Sequence, residues 1–365
     1  MVRLAFAGDL CLTSVKHVPY STAEQAFADI AALFEPFDIA FANLECCCTE
    51  SSFETIRMSV PIEQLPPLQA LGVDVFCLAN NHVKDAGADA LLQMQRHIQH
   101  SGCQFVGAGA NAESANRMLV LESCGLTLGV LNVTDASHYA ASAQEAGVAA
   151  LHKSSLLQQA RRLSAQVDAL VVIVHADLEF TNYPAPWRVR LSRALAPYCK
   201  VVVHHHPHTL QGVEVYKGCV IAYSLGNFVF PVHRARYMHN RPGQVEQGMV
   251  LAVSLVKQAG RVEAQLDKVI PTRIGQNGFL TAVTESQQLH AQQQLALYSS
   301  RLGDAGFLRA HHFQLCKAQF KKFVMGTYYT YRKEGIQQAF AYVRMHFRTD
   351  QHRNWLKSFF TFGFF

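Results

Sequence analysis

The chain has 365 residues, half of them apolar and only 16% charged. Such a composition is ample for a buried core, and with no run of 18 or more apolar residues it excludes a membrane-spanning helix. The net charge of +5 is uneven: from Arg309 onward ten Lys and Arg face two acids, so the first 308 residues carry 22 basic against 25 acidic groups and the positive charge belongs to the tail.

In chain order, Leu4-Ala5-Phe6-Ala7 reads as a short buried strand closed by Gly8-Asp9. Ala23 to Phe34 has helical spacing, and Asp38 to Ala42 is a second strand that ends in Asn43-Leu44-Glu45. Leu65 to Leu71 is a short helix after Pro66-Pro67. Val73 to Ala79 is a third strand, ending in Asn80-Asn81-His82 with Asp85 and Gly87 beyond. Ala88 to His100 is an amphipathic helix. A brief strand, Gln104 to Val106, precedes Gly107-Ala108-Gly109, whose small residues suit either a close backbone approach or a plain turn. Met118–Glu122 and Leu126–Asn132 form a hairpin around Cys124-Gly125. Ser154 to Ser164 is helical. Ala169 to Val174 is an apolar strand ending in His175-Ala176-Asp177-Leu178-Glu179-Phe180, and Trp187 to Ala196 is another helix. Val201-Val202-Val203 leads into His204-His205-His206-Pro207-His208, then Val213 to Tyr216 and Tyr223-Ser224-Leu225-Gly226-Asn227-Phe228. Met249–Val256 and Val262–Ile270 make a last hairpin turning at Ala259-Gly260.

Strand, polar residues and helix thus repeat, the pattern of an α/β core with a site at strand ends. Five ends carry ligand-type residues: Asp9; Asn43 with Glu45; Asn81 with His82; His175; and His206 with His208. Any one of them alone is an ordinary turn residue or surface histidine. Five at the carboxyl ends of apolar runs point to one site. A mixed oxygen and nitrogen set suits Mn²⁺, Zn²⁺ or Fe²⁺, not Ca²⁺ or a structural zinc cage. Six candidates exceed one tetrahedral site, and two ions sharing a carboxylate would use them. His82, beside Asn81, is then free for proton transfer to a leaving group.

These motifs, with Val106-Gly107-Ala108-Gly109, occur in an order and spacing that closely resembles the CapA family of poly-γ-glutamate capsule synthesis proteins, from about Val2 to Ile270. That family is similar to the calcineurin-like metallophosphoesterases. The resemblance implies an α/β fold of layered β-sheets flanked by helices, an α/β/β/α sandwich over residues 1–275. It implies Asp9 and His208 on a first metal, Glu45 bridging, and Asn81, His175 and His206 on a second, with His82 acting on the leaving group. Asn43, Asn80, Glu179, His205 and Asn227 would line the substrate cleft, with turn-capping the alternative for Asn227. Three positions depart from the pattern: Cys11 stands where Asp-x-His is usual, His175-Ala176-Asp177 lacks the usual Trp and Gly, and His204 replaces a Gly.

Residues 285–365 form an extension outside the resemblance. Phe307 to Ala341 is helical with basic and aromatic residues interleaved, and Trp355, Phe359, Phe360, Phe362, Phe364 and Phe365 crowd the end. It is either an interfacial element on anionic lipid or a synthesis complex, or an appendage packing its aromatics on the core or another subunit. No module signature points to nucleic acid.

Two functions follow from the resemblance. One is a metal-dependent hydrolase using activated water on a phosphoester or amide, acting in synthesis, trimming or release of poly-γ-glutamate or another capsular or extracellular polymer. Its partner is then a polyanionic polymer or a phosphoester. The other is a non-catalytic accessory protein of a membrane-associated synthesis complex. Ten cysteines without framework spacing, and a start that enters a strand without an apolar leader, point to the cytoplasm, with the tail available to the inner membrane face.

Overall fold

The computed structural model describes residues 1–49, 58–235, 237–238 and 244–347, with 353, 355–356 and 359–360 near the chain end. Two sheets lie at its centre, with strands and helices numbered in chain order. In the first, β1 (Val2–Leu10), β2 (Ile39–Leu44), β5 (Val75–Cys77) and β6 (Gln104–Val106) run parallel. Beyond β1 the antiparallel strands β16 (Gln247–Gln258), β17 (Arg261–Ile274) and β18 (Leu280–Thr281) extend it. The second sheet has the order β13 (Val213–Tyr216), β14 (Cys219–Ala222), β12 (Val201–His205), β11 (Ala169–His175), β9 (Leu126–Thr134), β8 (Leu119–Ser123). Its four inner strands are parallel and its two edge strands antiparallel. Two small pairs, β3 (Cys47–Thr49) with β4 (Ser59–Pro61) and β7 (Ala108–Gly109) with β10 (Gly147–Val148), complete the sheets.

Strand alternation sorts the apolar residues into three layers. Leu4 and Phe6 of β1, Phe41 of β2 and Val75 of β5 face Val130, Val171, Ile173, Val201 and Val203 of the second sheet. Ala5, Ala7, Ala40, Ala42 and Phe76, one residue out of phase, face α1 (Tyr20–Phe34) and α2 (Ala88–His100). On the far side Leu170, Val172, Val174 and Val202 meet α4 (Lys153–Leu163) and α5 (Pro186–Leu195). The short helix α3 (Ala112–Ala115) sits beside β7. Each fully buried Val, Leu or Phe contributes about 1.5–3 kcal/mol. Apolar runs buried on both faces therefore dominate stability, which is why they read as continuous instead of alternating. The outcome is the expected α/β/β/α sandwich.

The tail is helical: α6 (Glu285–Ser300), α7 (Ala305–Glu334) and α8 (Ile336–His346). The single helix expected through Ala341 is broken at Gly335, whose φ of 88° ends α7 and turns the chain into α8. The start of the tail packs on the core through Tyr298, Leu302 and Leu308. Farther along, Phe320, Phe323 and Phe359 gather around Cys316, Trp355 and Leu356. Phe362, Phe364 and Phe365 lie outside the described residues. No described helix is long and apolar enough to cross a membrane.

Candidate metal centre

The carboxyl ends of β1, β2, β11 and β12 converge, and they bring polar side chains from four separate stretches together. Asp9 ends β1 where that strand changes neighbour from β16 to β15 (Asn227–Val229). The close approach there requires two glycines. A Cβ on Gly8 would lie 2.2 Å from the Gly226 carbonyl oxygen, and Gly226 itself has φ +69°. The Gly-Asp and Leu-Gly-Asn motifs are thus two sides of one contact, and the Asp9 amide donates to Gly226 O at 3.0 Å.

Asp9, Glu45, His175, His206 and His208 are buried together, none more than 3% exposed. Ligand-capable atoms fall into two groups with mutual separations within 4.8 Å: Glu45, His206 and His208, and Asp9, Glu45 and His175. Glu45 is common to both. Glu45 Oε1 lies 3.6 Å from both His175 Nε2 and His208 Nε2. His206 Nδ1 is 3.0 Å from His175 Nε2, and Asn81 Oδ1 is 2.8 Å from the same nitrogen. His205 Nδ1 approaches Asp9 Oδ1 at 3.2 Å, and His208 Nδ1 approaches Asp9 Oδ2 at 3.4 Å.

This donor set fits a divalent cation on three counts. Glu45 Oε1 is buried without a hydrogen-bond partner among the described residues. Burial, then the neighbouring charge of Asp9, pushes the Glu45 carboxyl well above the usual carboxylate range. Burial, then His206, pushes the His175 imidazole well below its usual value, and burial, then His208, takes His206 to about 3. For Asp9 burial also acts upward, but the His205 hydrogen bond and the His205 and His208 charges outweigh it and hold it low. Neutral imidazoles and crowded carboxylates are the forms a cation binds. Backbone conformation supports the same reading: His206 (φ 97°) and His208 (φ 55°) occupy positive φ, a cost usually held in place by a functional constraint.

The asparagines expected at the cleft wall lie under it. Asn80 Oδ1 accepts the His82 and Val83 amides, so its Nδ2 donates to Leu44 O at 2.8 Å and Asn43 Oδ1 at 3.3 Å. That orients Asn43 Nδ2 toward Asp9 Oδ1 (2.9 Å), His175 Nδ1 (3.2 Å) and Glu45 Oε2 (3.3 Å). Asn227 Nδ2 donates to Val245 O and His208 O, leaving its Oδ1 to accept from His208 Nδ1 at 2.9 Å. The His208 proton is thereby placed on Nδ1 and the Nε2 lone pair faces Glu45, the outer support that metal-binding imidazoles characteristically have. All three asparagines are fully buried. Glu179 is part-buried and its charge reaches Glu45.

His82 differs from the other imidazoles. Its side chain is 25% exposed, so it alone of these rings meets solvent appreciably. Its Nδ1 lies 2.8 Å from Asp85 Oδ2, and Asp85 Oδ1 accepts from the Tyr139 hydroxyl at 2.8 Å. Tyr139 was not legible as a site residue, since it lies 54 positions from Asp85 and outside any motif.

The three departures each find a physical place. Cys11 is fully buried, 3.1 Å from Thr13 Oγ1 and beside Cys46, and belongs to neither ligand group. His204 faces away from the metal groups. Ser192 Oγ lies 2.7 Å from its Nε2, and Arg188 Nε donates to its Nδ1 at 3.3 Å. Arg188, also fully buried, reaches Gln211 Oε1 (3.0 Å), Asp177 Oδ2 (3.4 Å) and Tyr223 O. Asp177 is therefore the counter-charge of a buried guanidinium. Gly107 serves packing: a Cβ there would strike Asn132 Oδ1 at 2.2 Å, and that oxygen accepts the Ala79 amide at the root of the Asn80-Asn81-His82 turn.

A family model described as "Bacterial capsule synthesis protein PGA_cap" matches residues 3–232. Among curated proteins, the chain is 31% identical over 184 residues to "Capsule biosynthesis protein CapA" of Bacillus anthracis, covering 48% of this chain and 45% of that one. It is 28% identical over 241 residues to "PGA biosynthesis protein CapA" of Bacillus subtilis, covering 63% of each. The match thus spans roughly half to two thirds of each of these relatives. Among solved structures, a putative 5'-nucleotidase from Staphylococcus aureus aligns with TM-score 0.50 at 13% identity, over 80% of this chain and 58% of that one, a likeness of fold.

Proposed function

Since the chain belongs to the bacterial capsule synthesis PGA_cap family, we propose that it is a metal-dependent hydrolase of a polyanionic capsular polymer, acting on an amide or phosphoester during synthesis, trimming or release of poly-γ-glutamate or a related extracellular polymer. The observation that carries this reading is the buried convergence of Asp9, Glu45, His175, His206 and His208, with Glu45 Oε1 lacking a hydrogen-bond partner among the described residues. Two divalent ions, Mn²⁺, Zn²⁺ or Fe²⁺, would be held by Asp9, Glu45, His206 and His208, with His175 and Asn81 completing the set. Bound there, such ions supply Lewis-acid polarisation of a phosphoryl or carbonyl oxygen and acidify water at neutral pH.

The remaining work belongs to the chain's own groups. Asn43, Asn80 and Asn227 hold the carboxylates and imidazoles in register. Asp85 orients His82 so that Nε2 faces the cleft, from which it transfers a proton to the departing oxygen or nitrogen. Tyr139 fixes the second oxygen of Asp85 and so keeps that orientation. The layered sheets exclude water from the lower half of the site, where an unscreened charge counts most.

Elemental analysis of the purified protein, with turnover of γ-glutamyl oligomers and simple phosphoesters, tests the reading. Two transition ions per chain are expected, fewer in His206→Ala, while His82→Ala keeps its metal and loses about 10²–10⁴-fold in turnover. No metal as purified, and none acquired from added Mn²⁺ or Zn²⁺, would leave the second reading, an accessory protein on a borrowed fold. Cys11, buried at a position where a ligand is usual, is the observation that favours it.

A further inference from the structure

A cleft of about 390 Å³ opens near the candidate metal centre, and its lining residue Tyr237 lies within electrostatic reach of Glu45. Thr13 lines it and also contacts Cys11, two residues beyond Asp9. Tyr237 lines it from the opposite side, its ring 6.4 Å from Phe180, which in turn lies 6.0 Å from the His208 ring. The outer lining is cationic: Lys16, His17 and Arg234. All three are exposed, and none makes an ion pair or side-chain hydrogen bond among the described residues. Burial, then the charges of Arg234 and Lys16, hold the His17 imidazole below its usual value, so the three lie within electrostatic reach of one another. No acid is among the described lining residues. The first 308 residues are net acidic, so a cationic patch without a counter-charge among the described residues calls for an anion.

A small phosphoester with its reacting group over Glu45 keeps its charge at the buried cluster and does not extend to this cleft. A chain with a carboxylate on every unit does. We propose that Lys16, His17 and Arg234 form a subsite for the carboxylates of an extended polycarboxylate whose reacting bond lies over the metal centre. This rests on the hydrolase reading and adds a second anchoring point to it, one that favours chains of several anionic units over single phosphoesters.

Fluorescence anisotropy with a labelled γ-glutamyl decapeptide tests it, using the full-length chain in its His82→Ala form so that the probe survives. The decapeptide should bind at least tenfold more tightly than the γ-glutamyl dimer, and less tightly at higher salt. Lys16→Ala with Arg234→Ala, at unchanged metal content and melting temperature, should remove most of that advantage. Equal affinity for dimer and decapeptide, or a double variant that binds the decapeptide as before, would overturn the subsite. A linear polyphosphate that binds more tightly than the decapeptide would overturn its carboxylate assignment. A decapeptide bound through these cations but left intact by manganese-loaded protein with His82 present counts against the hydrolase and leaves the subsite standing. Cleavage of a small phosphoester by a protein without length-dependent binding does the reverse.

The outer face of the tail carries a second, independent inference. Val324, Tyr328, Tyr331, Ile336, Phe340 and Phe347 of the α7–α8 hairpin line an open apolar cavity of about 600 Å³. Tyr328, Ile336 and Phe340 are 59–66% exposed. Lys317, Lys321, Lys322, Arg332, Lys333 and Arg344 are exposed on the same two helices, against the single acid Glu334. Apolar rings beside Lys and Arg on helices too polar to span a bilayer match an anionic lipid surface. The geometry points to that surface as the occupant. In flotation assays the protein should bind vesicles containing phosphatidylglycerol and not pure phosphatidylcholine. Either Lys321→Glu with Lys322→Glu, or Phe340→Ser with Tyr328→Ser, should abolish it. Absence of vesicle binding, or a solution dimer that Phe340→Ser dissociates while vesicles stay unbound, would overturn the lipid assignment.

Discussion

Glu45→Gln separates the cost of a buried carboxylate from its use. Glu45 is fully buried, one of its oxygens has no hydrogen-bond partner among the described residues, and burial followed by the Asp9 charge pushes its carboxyl well above the ordinary 4.5. In the metal-free protein the native state therefore keeps a proton that the unfolded chain releases. Stability then falls as pH rises above that ordinary value, by about 1.4 kcal/mol per pH unit for one proton, until the native group itself ionises. Burial holds His175, His204 and His206 neutral in the native state, while the unfolded chain protonates them below about 6.5. Those three make stability rise with pH in the acid range and contribute no slope above it. Both proteins carry those three histidines, so above the ordinary carboxylate value the difference between variant and wild type isolates Glu45. In chelator, Glu45→Gln should gain on the wild type by about 1.4 kcal/mol per pH unit, or about 2 °C in melting temperature. Adding Mn²⁺ should reverse the order. The wild type gains about 2.7 kcal/mol at a hundredfold excess over its Kd, and the variant, lacking the shared negative ligand, gains less. Calorimetry across this pH range is the assay. Metal-free melting curves that run parallel for the two proteins would refute the reasoning, because Glu45 would then be ionised in the native state without a cation.

Asn227→Ala removes the acceptor that holds the His208 proton on Nδ1, and metal affinity measured by competition with a chelating dye should fall about 10–100-fold with every ligand still present. Arg188→Met strips the guanidinium from Asp177 and should cost about 3–5 kcal/mol in urea unfolding, part of it recovered when Asp177→Asn is added. Tyr139→Phe should lower turnover in the His82 wild type and change nothing further in His82→Ala; additive losses would detach Tyr139 from the His82–Asp85 pair.

Much of the fold was legible because apolar runs buried on both faces leave a plain signal, and because the hairpin at Cys124-Gly125 carries its own turn chemistry, both residues having positive φ. The tail was less so: one helical pattern ran on through Gly335, whose departure from helical backbone no periodicity reports. Among the site residues, those one step past a strand end could be picked out, since parallel strands deliver their carboxyl ends to one edge. Their individual duties could not be. His204 and His205 are neighbours in the chain, yet alternation along β12 sends the first to Ser192 and Arg188 and the second to Asp9.

By itself, then, the sequence determined the order of strands and helices, the family to which they belong, and the positions of carboxylates and imidazoles at strand ends. These are local properties, carried by spacing and by motifs a few residues long. Only the tertiary structure decided that Glu45 is common to both ligand groups, that Asn43, Asn80 and Asn227 hold the site from beneath, that Cys11 packs in the core, and that Lys16 meets Arg234 at one cleft. Each of these depends on which elements lie side by side once two sheets close on a shared apolar core, and contacts between residues tens to hundreds of positions apart leave no trace in either stretch alone.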